Sequence, residues 1–447
     1  MLLEKERFPR FHVGESLLPV TQHIWARLGL TERLHEAGYV KKMAGEIRLG
    51  KSPDAPDYYW CRMDFLNVPR SVKQQVPWSY HVERAVFDHL LLEHARETGV
   101  EVIEEARVRD VEPGAEPRVH WTDGAGAEHV TEAAYVIDAS GRHSLLARKL
   151  GLFKKEPLYC TASVFGHFKD VSWPTGLPGG FINVYVIENG WVWFIPQAES
   201  VTSVGVVMNE PGSVHWPKDP EVAFRDIIGR FAYLRVRFEH ALQVKPVRIL
   251  RNLPYHATQL VGEGFALTGD AAFFVDPIHS SGVHLAFYSA EALADALHAH
   301  LNGDRQALAA YVRKVKRHHR MVRYNVALYY RVVVKYRAMA WMLVWMTGRL
   351  FRNWSGPWLN RVNAWSFGHY SSFSGALGAL WALALIGQAG MSAFLRLTGW
   401  SRWGRHGYPT APAKPFEIPR SPDLEAARST RRQSVGDGQV EPQILVV

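Results

Sequence analysis

The feature that most constrains the fold is a short apolar strand, which is followed by Gly269-Asp270 and then by a helix. Gly264 to Leu267 has the pattern of a buried strand, and helical spacing runs from about Gly282 to Leu301. A strand ending in Gly-Asp places a carboxylate at the edge of a sheet, where it can accept hydrogen bonds from sugar-like hydroxyls. The same segment also fits a plain strand-to-helix turn capped by the aspartate.

Strands and helices alternate along most of the chain around this turn. Apolar residues follow helical spacing from Arg84 to Gly99, and the stretches 108–121 and 129–137 alternate as strands do. Residues 159–208 are rich in Val, Phe, Trp and Gly, which is typical of a second, mainly antiparallel sheet. The pattern predicts an α/β fold: a Rossmann-like three-layer domain with an inserted antiparallel sheet and a C-terminal helical region.

The same pattern predicts the domain boundaries. The three-layer domain spans residues 1–150 and is completed by 256–303, while a segment near 43–80 belongs to the inserted sheet domain. The sheet of that domain spans 151–255, and long helices follow over 304–405. The tail, 406–447, is rich in Pro, Arg, Ser and Gly and is expected to be disordered.

Charge and composition narrow the class of protein. The net charge of +9 comes from 52 Lys and Arg against 43 Asp and Glu, and it is spread along the chain. Nucleic-acid binding is therefore not predicted, whereas an anionic cofactor, an acidic carrier protein or a membrane surface would each fit. Two cysteines, no metal-ligand spacing and no secretion signal at the start favour a cytoplasmic enzyme without a metal.

Residues 373–395 raise the question of a membrane. This apolar run is almost as long as the about 20 residues that a spanning helix needs. Its glycines and polar groups favour a buried helical hairpin or an interfacial helix instead. A peripheral membrane contact through this region is therefore the alternative to a freely soluble protein.

Three motifs in a fixed order give the first family resemblance. Val82-Glu83-Arg84, Val136-Ile137-Asp138-Ala139-Ser140-Gly141 and Leu267-Thr268-Gly269-Asp270 follow one another along the chain. In this order they resemble the FAD-dependent aromatic monooxygenase superfamily. The resemblance implies that Arg84 contacts FAD, that the turn of Asp138 supports the adenosine side, and that Asp270 binds the ribityl chain.

A tryptophan pair narrows the family. In Gly190-Trp191-Val192-Trp193-Phe194-Ile195-Pro196, alternation along a strand puts Trp191 and Trp193 on one side. Two tryptophans on one face can simply fill a core. The segment also resembles the Trp-x-Trp-x-Ile-Pro signature of flavin-dependent halogenases. That resemblance implies a catalytic wall of two indoles, which keeps the organic substrate away from the flavin and suppresses hydroxylation.

Two further segments are similar to the same family, the first of them to its phenol and pyrrole type in particular. The first is Asp276-Pro277-Ile278-His279-Ser280-Ser281-Gly282, which resembles the halogenase flavin loop. Backbone N–H groups near Ser281 and Gly282, at a helix start, can bind chloride or bromide, although a simple helix cap fits as well. The second is His12-x-Gly-Glu-Ser-Leu-Leu-Pro, which in the family packs over the isoalloxazine. Asp276 is thus expected to belong to the cofactor site.

The family also relies on a lysine that receives hypohalous acid and delivers halogen to an aromatic ring. An ammonium can polarise the oxygen–halogen bond, whereas a free amine can form a haloamine, and either role favours a desolvated lysine. The candidates are Lys41, Lys42 and Lys51, of which Lys42 fits the family segment best. His279 stands where the tryptophan-type enzymes carry a glutamate, so it is either a catalytic base or a core residue among aromatics. It argues against free tryptophan as the substrate.

Glu4 follows the apolar Met1-Leu2-Leu3 and fits the acidic residue that binds a ribose hydroxyl at the end of a second strand. It fits an ordinary surface acid equally well. Such a residue normally lies about 20 residues after a Gly-x-Gly-x-x-Gly turn, which is not found before Glu4. Because that turn cradles the pyrophosphate, the chain as it stands is expected to bind FAD weakly, which flavin absorbance of the purified protein would test.

The resemblance implies halogenation of an electron-rich aromatic substrate, free or bound to a carrier protein. It also implies reduced FAD from a separate flavin reductase, together with O₂ and chloride or bromide. The alternative is an FAD-dependent monooxygenase or oxidoreductase of the same fold, which would form its product without halide. A third hypothesis is a membrane-associated relic without a cofactor, supported by the basic, aromatic C-terminal region.

Overall fold

The computed structural model describes most of the first 330 residues and two short segments near the C-terminus. The described residues are 1–49, 60–65, 77–174, 176–177, 179–187, 189–209, 213, 216–330, 416–425 and 444–446. Lys51, the apolar run 373–395 and the helical region beyond 330 lie outside them. The predictions made for those residues therefore stay predictions.

The described chain contains strands and α-helices mixed along its length, joined by short 3₁₀ turns. The strands are β1 (Leu2–Leu3), β2 (Val40–Lys42), β3 (Ala44–Leu49), β4 (Trp60–Asp64), β5 (Ser79–His81), β6 (Val102–Ile103), β7 (Arg107–Glu112), β8 (Arg118–Thr122), β9 (Glu128–Glu132), β10 (Val136–Asp138), β11 (Phe153–Lys155), β12 (Thr161–Lys169), β13 (Phe181–Ile187), β14 (Gly190–Pro196), β15 (Val201–Asn209), β16 (Leu242–Leu250), β17 (Tyr255–Ala257), β18 (Val261–Gly262), β19 (Phe265–Leu267), β20 (Phe273–Phe274) and β21 (Ile444–Val446). The helices are α1 (Gln22–Arg27), α2 (Thr31–Glu36), α3 (Arg84–Glu97), α4 (Leu145–Lys149), α5 (Pro220–Gly229), α6 (Ala232–Arg235), α7 (Gly282–Leu301) and α8 (Ala307–Leu328).

One sheet carries the strand-to-helix turns that the sequence singled out. Its order is β18-β19-β10-β21-β1-β6, in which β1 pairs with β6 and β10 with β19 in parallel. The antiparallel β21 lies between β10 and β1. Asp138 pairs with Leu267, so the turns that follow β10 and β19 lie at the same edge. In open α/β sheets, ligands bind outside the carboxyl ends of parallel strands.

A second sheet has the order β16-β12-β15-β14-β13-β3-β4 and is antiparallel except where β3 runs beside β13. Its two faces are buried in different cores. On one face, Phe168, Phe194 and Val204 pack against α5 and the segment that follows it. On the other, Trp191 and Trp193 belong to the same core as Val275 and Ile278, which precede α7. The mixed sheets and helices confirm the α/β class with an inserted antiparallel sheet.

The expectation of a disordered tail beyond residue 406 is wrong for residues 416–425. Ile418 is buried in the core beside α5, and the backbone N–H of Gln243 donates to the carbonyl of Pro419 at 2.8 Å. Apolar residues of the Pro- and Arg-rich tail therefore pack against β16. None of the helices in the described part of the chain is both long and apolar enough to cross a membrane.

Candidate active site

Arg84, Asp270 and Arg142 form a charged group where α3 meets the turn after β19. Arg84 begins α3 and is held by Asp88, whose carboxylate accepts from Nε at 2.7 Å and from Nη2 at 2.9 Å. Burial raises the pKa of the Asp270 carboxyl to about 6, although Arg142 and Arg84 act in the opposite direction. The structure therefore brings together two of the predicted flavin contacts and adds Arg142, which the sequence reasoning did not select.

Asp138 and Glu4 occupy other strands of the same sheet. Both carboxylate oxygens of Asp138 accept backbone N–H groups, from Ser140 and from Leu146, at 2.9 Å. Asp138 therefore shapes the turn after β10 rather than presenting a free carboxylate. Glu4 follows β1 and accepts from the N–H of Glu6 at 2.8 Å, and burial raises the pKa of Glu4 to about 7. The structure does not bring Glu4 next to Asp270.

The two tryptophans of β14 face the same side, as alternation along the strand predicts. Their ring centroids are 5.7 Å apart, and both side chains are buried. Gly205 of β15 pairs with Trp193, and a Cβ atom at residue 205 would lie 2.2 Å from the Trp193 ring. The indole of Trp193 therefore lies in space that only a glycine leaves open, and its Nε1 donates to Ser203 at 3.2 Å.

A buried hydrogen-bond network fixes Trp191. Its Nε1 donates to the hydroxyl of Tyr330 at 2.9 Å, and that hydroxyl donates to Asp276 Oδ2 at 3.0 Å. Thr161 donates to the same oxygen at 3.1 Å, while Asp276 Oδ1 accepts from the N–H of Ile278 at 3.0 Å. Burial raises the pKa of Asp276 to about 7 although these bonds act to lower it. Asp276 thus joins the tryptophan wall to the loop before α7.

That loop also carries His279, Ser281 and Gly282. Burial lowers the pKa of His279 to about 3, so its imidazole is neutral near pH 7, and its ring packs edge-on against Tyr329. Ser281 precedes α7 and is buried, and its hydroxyl makes no hydrogen bond within the described residues. The first amides of a helix have no partner inside the helix, and the helix dipole adds positive potential there. Halide binding at Ser281 and Gly282 stays a prediction that this geometry permits.

Lys42 is buried in the two-stranded ribbon of β2 and β5. Its side chain is 2% exposed, and its Nζ donates to the carbonyl of Leu17 at 3.0 Å. Burial alone lowers its pKa to about 7. No carboxylate within the described residues forms a salt bridge with it. Its neighbour Lys41 is exposed on the opposite face, with Nζ 5.1 Å from the centre of the Trp78 ring.

The segment from Val13 to Leu17 connects the lysine with the charged group at α3. Arg84 donates to the carbonyl of Val13 at 2.7 Å, at one end, and Lys42 donates to that of Leu17 at the other. Four residues of extended chain span at most about 14 Å. Between these ends, Glu15 accepts a hydrogen bond from His167 of β12. Burial acts to raise the pKa of Glu15, but the stronger combined effect of His167 and the other hydrogen bonds lowers it.

The chain also matches known proteins at the level of the family. A family model described as tryptophan halogenase matches residues 60–347. The chain belongs to the flavin-dependent halogenase family. A 1H-pyrrole-2-carbonyl-[peptidyl-carrier protein] chlorinase from Pseudomonas fluorescens is 31% identical over 355 residues, covering 75% of this halogenase and 79% of the relative.

Solved structures give the same result. The flavin-dependent halogenase CmlS superimposes with a TM-score of 0.67 at 30% identity, over 75% of this chain and 60% of that one. The myxobacterial chondrochloren halogenase CndH gives a TM-score of 0.67 at 29% identity, over 86% and 90% of the two chains. The family resemblance and the fold that it implies are therefore confirmed, and the halogenase hypothesis is favoured over the monooxygenase alternative.

As a member of this family, the halogenase uses FAD and halide. The residues at the charged group fit the cofactor. The Asp270 carboxylate accepts no hydrogen bond from any residue that the structure describes, and the buried Nε of Arg142 likewise has no partner there. Gly14 has a φ of +106°, and a Cβ atom at that position would lie 2.9 Å from Arg84 Nη1. Arg84, Arg142 and Asp270 would hold the cofactor, with Gly14 leaving room beside them.

Proposed function

We propose that this halogenase installs chlorine or bromine on an electron-rich aromatic ring and that Lys42 transfers the halogen. The observation that carries the proposal is the burial of Lys42 without an acidic partner in the described chain. A pKa near 7 keeps a substantial part of the lysine as a free amine at neutral pH. An ordinary surface lysine, with a pKa of about 10.4, would be almost fully protonated.

Reduced FAD, when bound, would activate O₂, which takes two electrons from the flavin and two from halide and so yields water and hypohalous acid. The amine of Lys42 then attacks the halogen: the nitrogen–halogen bond forms, the oxygen–halogen bond breaks, and the departing hydroxide takes an amine proton to give water. In the second step the aromatic carbon takes the halogen, the nitrogen–halogen bond breaks, and the ring proton replaces the halogen on nitrogen. Alternatively, the Lys42 ammonium polarises hypohalous acid by donating a hydrogen bond. Trp191 and Trp193 would form the wall that keeps the organic substrate from the cofactor.

We propose a small aromatic substrate of the phenol or pyrrole type, supplied free or on a carrier protein. The carrier-bound option is supported by the pyrrole-carrier-protein chlorinase among the relatives. His279, at the position where tryptophan-type enzymes carry a glutamate, argues against free tryptophan. A separate flavin reductase would supply the reduced cofactor, as the family resemblance implies.

The test is a product screen with reduced flavin and phenols, pyrroles and carrier-bound pyrroles, with and without bromide or chloride. We expect halogenated product only with halide. Lys42→Ala should abolish halogenation, by more than about 100-fold, and leave the rate of flavin reoxidation unchanged. Lys41→Ala is the matched control and should keep halogenation, since Lys41 lies on the exposed face of the same ribbon.

Two outcomes would contradict the proposal. Hydroxylated product formed equally well without halide would assign the chain to the monooxygenase alternative. Halogenation retained in Lys42→Ala would move the transfer step to another lysine.

A further inference from the structure

The surroundings of Lys42 contain a second polar side chain that the sequence reasoning did not select. In the β2–β5 ribbon, Val40 pairs with His81 and Lys42 with Ser79. Because alternate residues of a strand point to the same side, Lys42, Ser79 and His81 share one face. Lys42 and His81 are diagonal neighbours across the ribbon, a spacing that long side chains can bridge.

The hydrogen bonds of His81 determine its tautomer. Its Nε2 lies 3.1 Å from the carbonyl oxygen of Gly180. A carbonyl oxygen only accepts, so Nε2 carries the hydrogen and, in the neutral ring, Nδ1 carries a lone pair. Burial, and then the charge of Lys42, lower the pKa of His81 well below its usual value, so the ring is neutral.

The Nδ1 atom is left without a partner. His81 is 1% exposed, and its Nδ1 makes no hydrogen bond with any residue in the described part of the chain. The same is true of the buried hydroxyls of Ser79 and Ser16, the latter bridged to His81 in the backbone. Buried polar atoms nearly always have a hydrogen-bond partner. Three unpartnered polar atoms near a buried amine therefore indicate a polar pocket whose atoms gain their hydrogen bonds when the protein acts.

We propose that His81 Nδ1 accepts a hydrogen bond from Lys42 Nζ, directly or through one water, and so positions the amine for halogen transfer. The inference rests on the proposed function of Lys42. A neutral amine has two N–H groups and one lone pair. With one N–H donated to Leu17 and the other to His81, the lone pair is the only group left for the halogen. The haloamine keeps one N–H and can satisfy only one of the two acceptors, which favours its reaction onward.

Other titratable groups near the ribbon are engaged elsewhere. Glu15, beside the Ser16 bridge, is paired with His167. Lys41 and Tyr80 lie on the opposite face, where Tyr80 bonds to His35 and Lys41 lies over Trp78. Lys42 is the charged side chain that acts on the pKa of His81.

Two substitutions separate positioning from a merely structural role. His81→Gln can keep a donor to the Gly180 carbonyl but loses the acceptor at Nδ1, whereas His81→Asn keeps an acceptor near Nδ1 and loses the bond to Gly180. We expect halogenation to fall about tenfold in His81→Gln and less in His81→Asn, with flavin reoxidation unchanged in both. The opposite order would mean that His81 acts only through Gly180 and would overturn the proposal.

A second measurement does not depend on halogenation. Competitive acetylation of the full-length protein over pH 5–10, read by mass spectrometry of the Lys42 peptide, gives the pKa of Lys42. Since an acceptor stabilises the ammonium more than the amine, the Lys42 pKa should fall by about one unit in His81→Gln and stay near its original value in His81→Asn. An unchanged pKa in His81→Gln overturns the inference. A lowered pKa with halogenation intact in Lys42→Ala would instead support the contact between the residues and reject the proposed function of the lysine.

Discussion

The loop before α7 and the β2–β5 ribbon both bury ionisable side chains, but they do so differently. Asp276 accepts hydrogen bonds from Thr161, Tyr330 and the backbone of Ile278, so the described structure satisfies both of its oxygens. Lys42 shares one face of its ribbon with His81 and Ser79, whose Nδ1 atom and hydroxyl have no partner within the described residues. Burying a polar group without a hydrogen-bond partner costs free energy whether or not the group has a function, so such groups call for a functional explanation that a fully bonded group does not need. The Asp276 network therefore holds the loop in place, whereas the unpartnered atoms around Lys42 mark the ribbon as a candidate site of chemistry.

The strongest test of this difference is Lys42→Met. Burial lowers the pKa of Lys42 to about 7 in the folded protein. The folded state is therefore most stable above the unfolded pKa of the lysine, where the amine is neutral in both states, and it loses stability as the pH falls to about 7. At pH 7, Lys42→Met should therefore raise the free energy of unfolding by up to about 4 kcal/mol, and the gain should have largely vanished by about pH 11, above the unfolded pKa. Urea unfolding at both pH values measures this, with Lys41→Met as the control that shows no gain. A loss of stability at pH 7 would mean that the hydrogen bonds of Lys42, such as that to the Leu17 carbonyl, outweigh the cost of its burial, and it would remove the contrast with Asp276.

Tyr330→Phe should lower the free energy of unfolding, the opposite of the effect expected for Lys42→Met at pH 7. Removing this hydroxyl leaves Trp191 Nε1 without its acceptor and takes one donor from Asp276. The free energy of unfolding should fall by about 2 kcal/mol. Tyr324→Phe, on the exposed side of α8, should change it little. If both variants have the same free energy of unfolding, the hydroxyl of Tyr330 does not stabilise the network.

Gly282→Ala should have the smallest effect on stability and so separates halide binding from folding. A Cβ atom at this position would meet only Phe274, at 3.8 Å, and the helical backbone tolerates alanine. The free energy of unfolding should change by about 0.5 kcal/mol or less. If the amides before α7 bind halide, the methyl group should raise the KM for halide severalfold, which initial rates at varied bromide concentration would show. An unchanged KM for halide would place the halide elsewhere.

Sequence patterns predicted the local parts of this site well. The alternation of β14 puts Trp191 and Trp193 on one face, and the strand, turn and helix around Asp270 lie where the apolar pattern predicted them. Both predictions follow from the periodic spacing of apolar residues within a single segment of the chain. The tail was mispredicted at 416–425 because its polar composition hid the few apolar residues, such as Ile418, that pack against the second core.

Residues whose hydrogen-bond partners are distant in the sequence could not be predicted from local patterns. Tyr330 lies 139 positions after Trp191, and nothing in its own segment marks it as the hydrogen-bond partner of the indole. His81 has the same character: its importance comes from Lys42 on another strand and from Gly180, which lies 99 positions away. A signal for His81 exists only once β2 and β5 are paired.

The sequence by itself determined the family, the α/β class and the paired tryptophans, and it selected Lys42 as the candidate among the lysines. It did so because these follow from short motifs and from the periods of strands and helices. Only the tertiary structure decided which of those residues are buried, which have partners, and how their pKa values shift. Desolvation and hydrogen bonding depend on groups brought together from distant parts of the chain, so Lys42 becomes a candidate free amine, and Asp276 a fully hydrogen-bonded carboxyl, only in the folded protein.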